Sequence, residues 1–260
     1  MNALNKQAEQ QLIIGRNSAI EAINSNSIQI NKIFISDSFS SNEVKRQIIS
    51  FAKEKKIPFS IVPEKKLNNI SLNKNHQGII LSISPIKLLT VKEILKNDSS
   101  NKKNVISSNV ILVANEIEDN HNLGAIIRTF AGIGGNKIIL TGKKSVGINS
   151  TTVKTIAGTL LQIQFARATN CSNVISELKE NNFWVIGTDN SSNAESIYKV
   201  SFPEKVAIVI GNEHDGLNPL VKKNCDFLIK IPISETVNSL NVSVAFGIVL
   251  FENYRQNSFK

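Results

Sequence analysis

The sequence predicts an α/β protein: a mostly parallel sheet with helices on both faces over residues 109–260, a small α/β domain over residues 1–85, and a polar linker over residues 86–108. Three observations carry this prediction. After Asn109, strand-like apolar runs alternate with helical patterns, the order that builds parallel sheets. Runs such as Val206-Ala207-Ile208-Val209-Ile210 are apolar without interruption, as strands buried on both faces are. Residues 96–104, Lys-Asn-Asp-Ser-Ser-Asn-Lys-Lys-Asn, offer no apolar side chain to bury and so separate two foldable stretches.

In the first domain, apolar periodicity predicts a helix over 18–23, a strand over 32–35, a helix over 43–55, a strand over 59–62 and an alternating strand over 79–83 ending near Pro85. A short helix over 91–95 is expected within the linker. The second domain then reads as strand 110–113, helix 124–131, strand 137–140, helices 151–158 and 171–181, and strand 183–187. It continues with strand 206–210, helix 217–223, strand 227–231 and helix 241–254.

With 260 residues, 41% of them hydrophobic, the chain can bury a substantial core in two domains. Its net charge of +9 is unevenly spread. Residues 1–85 carry 11 Lys and Arg against 6 Asp and Glu, residues 86–108 carry 5 against 2, and residues 109–260 carry 14 against 13. A basic first half beside a nearly neutral second half fits capture of a polyanion by one part and chemistry by the other, although a lysine-rich solvated face has the same composition. Cys171 and Cys225 are too few and too far apart for a disulfide framework or a zinc site and read as buried thiols in a reducing compartment. The first ten residues lack an apolar secretory core, and no run approaches the roughly 18 apolar residues of a membrane span, so a cytoplasmic protein without a membrane partner is expected.

The common nucleotide motifs are absent. Gly132-Ile133-Gly134-Gly135 has Lys137 where a dinucleotide fingerprint needs its third glycine, and Thr141-Gly142-Lys143-Lys144-Ser145 lacks the upstream P-loop glycine. No Gly-x-Ser-x-Gly elbow occurs. His76, His121 and His214 are widely spaced and read as polar loop residues, so no metal site is expected.

Three polar stretches follow predicted strands: 119–129 with Asn122, Gly124 and Arg128; 211–217 with Gly211-Asn212-Glu213 and Gly216-Leu217; and 231–245 with Ser239-Leu240-Asn241-Val242-Ser243-Val244-Ala245. Ligands of parallel sheets bind beyond the carboxyl ends of the strands, which is where all three fall. These stretches resemble the three motifs of the SpoU family of RNA ribose 2′-O-methyltransferases, in the SPOUT superfamily, over about residues 109–254. Residues 15–22, Gly-Arg-Asn-Ser-Ala-Ile-Glu-Ala, and His76-Gln77-Gly78-Ile79 resemble the auxiliary substrate-binding domain of the branch that methylates a guanosine ribose in 23S rRNA. The chain departs from the family at Asn120, where Pro is common, and at His214 and Glu235, where Gly is common.

The resemblance implies a deep trefoil knot, S-adenosylmethionine as cofactor, RNA as substrate and an active site at a homodimer interface. It carries backbone contacts to the cofactor onto Gly211, Ile231 and Leu240, and the catalytic polar set onto Asn122, Arg128, Glu213, Ser239 and Asn241. Because a guanidinium stays protonated in a protein, Arg128 is expected to clamp a substrate phosphate rather than act as a base. Glu213 is then expected to orient Asn122 or Arg128, with Ser239 and Asn241 positioning the ribose and ordering the loop. Structural alternatives are an Arg128–Glu213 ion pair and helix caps at Asn122 and Ser239. Two other functions share these residues: a transfer RNA ribose methyltransferase, and a noncatalytic RNA-binding ribosome-assembly protein.

Overall fold

The computed structural model describes residues 11–25, 28–96, 109–148, 152, 156 and 163–258. Among the described residues the chain forms two compact units, one within residues 11–86 with 148, 152 and 156, the other within residues 87–147 and 163–258.

In the first unit, β1 (Gln11–Ile14), α1 (Arg16–Ser25), β2 (Ile30–Ser36), α2 (Asn42–Glu54), β3 (Phe59–Val62), α3 (Glu64–Ser71) and β4 (Ile79–Ile83) build a four-stranded sheet in the order β1-β4-β2-β3. β4 reads Ile-Ile-Leu-Ser-Ile, is buried at every residue, and pairs antiparallel with both β1 and β2. Ser41 caps α2, its hydroxyl accepting from the Val44 N–H at 3.4 Å. Two elements go beyond the sequence reading. β1 is four residues long and exists through its pairing with β4, a partner distant in sequence. α3 has a weak apolar signal, with Leu67 on its buried face, and ends at Leu72 in the left-handed region (φ 52°).

The second unit contains β5 (Leu88–Leu89), α4 (Val91–Lys96), β6 (Val110–Asn115), α5 (Asn120–Gly132), β7 (Lys137–Thr141), β8 (Gln164–Ala168) and α6 (Cys171–Glu180). It continues with β9 (Trp184–Thr188), β10 (Glu195–Ser196), β11 (Val206–Ile210), α7 (Pro219–Asn224), β12 (Phe227–Lys230) and α8 (Val242–Ser258). The strands form one eight-stranded sheet, β10-β12-β9-β11-β6-β7-β8-β5, in which every pairing is parallel. Residues 87–96, read from the sequence as linker, belong here: β5 pairs with β8, and α4 buries Val91 and Ile94. Residues 97–108 and, apart from Thr152 and Ile156, the helix expected over 151–158 lie outside the described residues.

Alternation along the central strands divides the core. Ile111, Val113, Ala207 and Val209 pack with residues of α4, α6 and α7 on one face. Leu112, Ala114, Ile208 and Ile210 are buried on the opposite face, where α5 and α8 pack on each other through Phe130 and Phe246, ring centroids 6.2 Å apart. Gly135 lets backbone reach the Phe130 ring, since a Cβ there would lie 2.4 Å from it. Phe130→Ala is expected to cost about 3–5 kcal/mol of stability, read by thermal or urea denaturation. A loss below about 1 kcal/mol would mean that this layer collapses to refill the cavity. Among the described residues no helix is long and apolar enough to cross a membrane.

Candidate active site

The parallel sheet delivers β6, β9, β11 and β12 to one edge with their carboxyl ends together, and the loops that leave β9, β11 and β12, with the start of α8, build a cavity of about 340 Å³. That volume lies within the usual range for small-ligand sites, roughly 300–1,000 Å³. Its apolar lining comes from Ile231, Ile233, Leu240, Val242, Ala245 and Val249. Polar groups enter from Thr188, Asp189 and Asn190 after β9, from residues 211–216 after β11, and from Ser239.

The loop after β11 turns back on itself so closely that only glycine fits at its start. A Cβ on Gly211 would lie 2.3 Å from the Gly216 carbonyl carbon and 2.5 Å from the Leu217 nitrogen, both backbone atoms. Gly216 closes the turn at φ +65°, its N–H donating to the Asn212 carbonyl at 3.1 Å. The buried Asn212 side chain then pins the loop. Its Oδ1 accepts from the His214 N–H at 2.7 Å and the Asp215 N–H at 3.4 Å, while its Nδ2 donates to the Glu116 carbonyl at 3.2 Å and Glu118 Oε1 at 2.9 Å. Sequence reasoning placed Asn212 in a motif but gave it no role; an amide buried at the end of an apolar strand is the signal that marks it.

Beside the cavity three of the five predicted polar residues meet. Asn122 Nδ2 donates to Glu213 Oε1 at 3.0 Å, and Asn241 Nδ2 donates to Asn122 Oδ1 at 3.0 Å. Asn241 Oδ1 in turn accepts from the Ser243 N–H at 2.9 Å, the Ser243 hydroxyl at 2.6 Å and the Val244 N–H at 3.4 Å, so this residue caps α8. The cap of α5 is Asp119, whose Oδ1 accepts from the His121 N–H at 2.8 Å. Neither cap is at Asn122 or Ser239. Ser239, like Gly211, Ile231 and Leu240, lines the cavity.

Arg128 stands apart. It is exposed on α5, does not line the cavity, and no hydrogen bond or ion pair engages its guanidinium among the described residues. The Glu213 carboxylate is occupied by Asn122 instead, which sets aside the Arg128–Glu213 ion pair. A guanidinium with no partner among the described residues can meet an external anion.

Asp189 and Asn190 are cavity residues that the sequence reading did not single out. Asp189 Oδ1 pairs with Lys222 Nζ at 2.8 Å, and Asn190 Nδ2 donates to the Asn238 carbonyl at 3.2 Å, tying the β9 loop to the segment before α8. Partial burial pushes the Asp189 carboxyl up, but its hydrogen bonds with Lys222 and Ser191 and the Lys222 charge outweigh that and hold it below the usual carboxylate range. Burial drives the thiols the other way, Cys171 to about 11 and Cys225 to about 12, so neither is a thiolate nucleophile at neutral pH. No cluster of metal-ligating side chains occurs among the described residues.

A parallel sheet with a cavity beyond its strand ends, lined by apolar and polar groups and flanked by an amide–carboxylate network, is the arrangement of an α/β enzyme with a small-ligand site beside candidate reacting groups. Residues 109–251 match the SpoU rRNA methylase family, and residues 12–89 match the substrate-binding domain of RNA 2′-O-ribose methyltransferases. A relative assigned to the TrmH family of tRNA/rRNA methyltransferases, YacO of Bacillus subtilis (strain 168), is 34% identical over 95% of this chain and 96% of its own. The fold is also that of an S-adenosylmethionine-bound rRNA methyltransferase from Sinorhizobium meliloti, with a TM-score of 0.74 at 21% identity over 95% of this chain and 87% of that one. It is likewise that of the SpoU methyltransferase AviRb from Streptomyces viridochromogenes in complex with the same cofactor, with a TM-score of 0.76 at 17% identity over 96% and 91%. The chain belongs to the SpoU family of RNA 2′-O-ribose methyltransferases.

Proposed function

We propose that the protein transfers a methyl group from S-adenosylmethionine to the 2′-hydroxyl of a guanosine ribose in 23S rRNA. The observation that carries this reading is the joining of Asn122, Glu213 and Asn241 in one hydrogen-bonded network beside the backbone-walled cavity. The cavity suits the cofactor: the backbone approach at Gly211 leaves peptide groups, beside the side chains of Asp189, Asn190 and Ser239, to recognise polar ligand atoms, and Ile231 and Leu240 supply apolar walls. Held by Gly211, Ile231 and Leu240, S-adenosylmethionine would supply an electrophilic methyl carbon, with the sulfonium sulfur as the leaving group.

The chain's own residues have two tasks. Holding the attacking oxygen in line with the methyl carbon contributes as much as about 7–11 kcal/mol of barrier reduction in well-oriented systems. Asn122, fixed on both sides by Glu213 and Asn241, and Ser239 at the cavity wall are the groups placed to orient the ribose. The hydroxyl proton must also leave. Arg128 stays protonated and holds the adjoining phosphate, and that phosphate or water accepts the proton.

The substrate-binding match over residues 12–89 and the +5 excess on residues 1–85 support a structured RNA such as rRNA over a substrate that needs only the methyltransferase unit. This reading has the protein in the cytoplasm with its RNA. The same reading includes a knotted C-terminal region and a homodimer. α8 supports the dimer, since Val244 and Phe251, two turns apart, are exposed at 51% and 53% and form an apolar stripe. Phe251→Asp is expected to turn a dimer into a monomer in size-exclusion chromatography with light scattering. An unchanged mass would remove α8 from the interface.

Transfer of labelled methyl to unmodified 23S rRNA and, in parallel, to bulk tRNA tests the function. Alkali-resistant label at one rRNA nucleotide supports the proposal. Label in tRNA alone keeps the chemistry and overturns the substrate, and RNA binding without transfer overturns the enzyme.

A further inference from the structure

The first unit contains a second cavity, of about 480 Å³, that the methyl-transfer chemistry does not use. It opens among α1, the loop after β2, α3 and the loop 72–78, and apart from Phe39 and Gly78 its lining is polar or charged. Ser36, Ser38 and Ser40 offer hydroxyls, and Asn68, Asn73 and Gln77 offer amides. Its charged side chains are Arg16, Lys74 and a single acid, Glu64, which accepts from the Ser38 hydroxyl at 3.3 Å.

This cavity is constructed rather than left over. His76 is 5% exposed and fixes the loop from both ring nitrogens: Nδ1 accepts from the Gly78 N–H at 3.0 Å, which leaves Nε2–H to donate to Asn68 Oδ1 at 2.9 Å. Leu72, Asn73 and Gln77 all hold positive φ (52°, 59° and 48°), a conformation that non-glycine residues keep only when their surroundings enforce it. Gly78, at φ +83°, lets the backbone press on Phe39, where a Cβ would lie 2.6 Å from the ring. Arg16 lies over the Phe39 ring with Cζ 4.8 Å from its centroid, and its Nη2 donates to Ser40 Oγ at 2.5 Å. That contact holds the guanidinium in one orientation, while its buried Nε–H has no partner among the described residues. A pre-oriented guanidinium with donor capacity to spare, beside a lysine and several hydroxyls, recognises an oxyanion; the surrounding amides recognise a base edge.

We propose that this cavity takes one nucleotide splayed out of the RNA substrate, with its phosphate on Arg16 and Lys74 and its base on the amide NH2 groups of Asn68, Asn73 and Gln77, the Asn68 oxygen being held by His76 and the Gln77 oxygen by the Arg16 backbone N–H at 3.0 Å. This rests on RNA being the substrate, but not on where, or whether, a methyl group is transferred. The unit would then grip an unpaired nucleotide of a loop or bulge rather than a regular duplex, because a paired base cannot enter a cavity and the A-form major groove is too deep and narrow for side chains to read.

Filter binding of unmodified ribosomal RNA to the full chain over a range of salt concentrations tests it. Lys74→Glu, an exposed position that folding tolerates, and Arg16→Ala are each expected to weaken binding tenfold or more. Each is also expected to flatten the dependence of log K on log salt by about 0.7–0.9, the loss of one phosphate contact. Lys53→Glu, the same charge change on the exposed face of α2, is the comparison. An equal loss in Lys53→Glu would make the effect general electrostatics and overturn the pocket, as would unchanged affinity and salt slope in Lys74→Glu. Because the readout is affinity, wild-type protein that binds RNA but transfers no methyl overturns the enzymatic reading alone.

Discussion

Gly211→Ala is expected to lower affinity for S-adenosylmethionine by two orders of magnitude or more while the protein stays folded. The reason is steric and local. The new methyl would sit 2.3 Å from the Gly216 carbonyl carbon and 2.5 Å from the Leu217 nitrogen, and backbone atoms cannot rotate out of the way as a side chain can. Relief comes from opening the 211–217 loop, which breaks the Gly216-to-Asn212 hydrogen bond and pulls Asn212 off Glu116 and Glu118. Overpacking of this kind costs about 1–3 kcal/mol, enough to lower the melting temperature without unfolding a chain whose core lies elsewhere. The cavity wall, however, is the part that moves. Isothermal titration of the cofactor against wild type and variant reads the effect directly, with circular dichroism to show that both are folded. Equal dissociation constants would mean that the cofactor does not rest on this loop, and the assignment of Gly211 would fall with the cavity.

The loop also shows what is legible in a sequence and what is not. β11 announces itself through five consecutive apolar residues, and its flanking Gly211 and Gly216 mark a loop where backbone must come close. The central strands are legible for the same reason, since a strand buried on both faces needs no polar residue. β8 was missed because Gln164 and Arg167 interrupt its apolar run; Arg167 turns its Nη2 to the Ser145 carbonyl at 3.0 Å, so the charge is accommodated at the strand rather than excluded from it. β5 is two residues long and is a strand only because β8 lies beside it. Such elements exist through tertiary pairing and leave no local pattern to read.

At the candidate site the balance is similar. That Asn122, Glu213 and Asn241 gather at strand ends follows from the parallel order of the sheet. Which atom meets which does not, because 91 and 119 residues separate the partners and several pairings satisfy the same chemistry. Glu213 had two plausible mates, Asn122 and Arg128, and the structure gives it the first. Asn241 caps the last helix and holds Asn122 at once, a dual role that neither a motif nor a capping rule expresses alone.

The exposed position of Arg128 leads to the second large effect. Arg128→Ala is expected to reduce methyl transfer to RNA by about 10²–10³-fold in kcat, the scale seen when one preorganised donor is removed from a transition state. Cofactor affinity and melting temperature should not change. The stability half of this expectation rests on the guanidinium having no partner among the described residues, so its removal breaks no internal bond. The catalytic half rests on charge. A phosphate that accepts the ribose proton must be held close, and a bidentate guanidinium does so with directionality that an ammonium lacks. Arg128→Lys therefore separates clamp from simple charge: a fork-dependent role leaves this variant nearly as impaired as Arg128→Ala, whereas a purely electrostatic role restores most of the rate. Steady-state kinetics with saturating cofactor and varied RNA distinguishes binding from turnover. Wild-type kcat in Arg128→Ala would release this residue from the mechanism and move the search for the phosphate clamp to the lysines around the cavity, Lys222 and Lys230. Lys222 is already committed to Asp189 at 2.8 Å, which leaves Lys230, a residue of the cavity wall, as the group to test next.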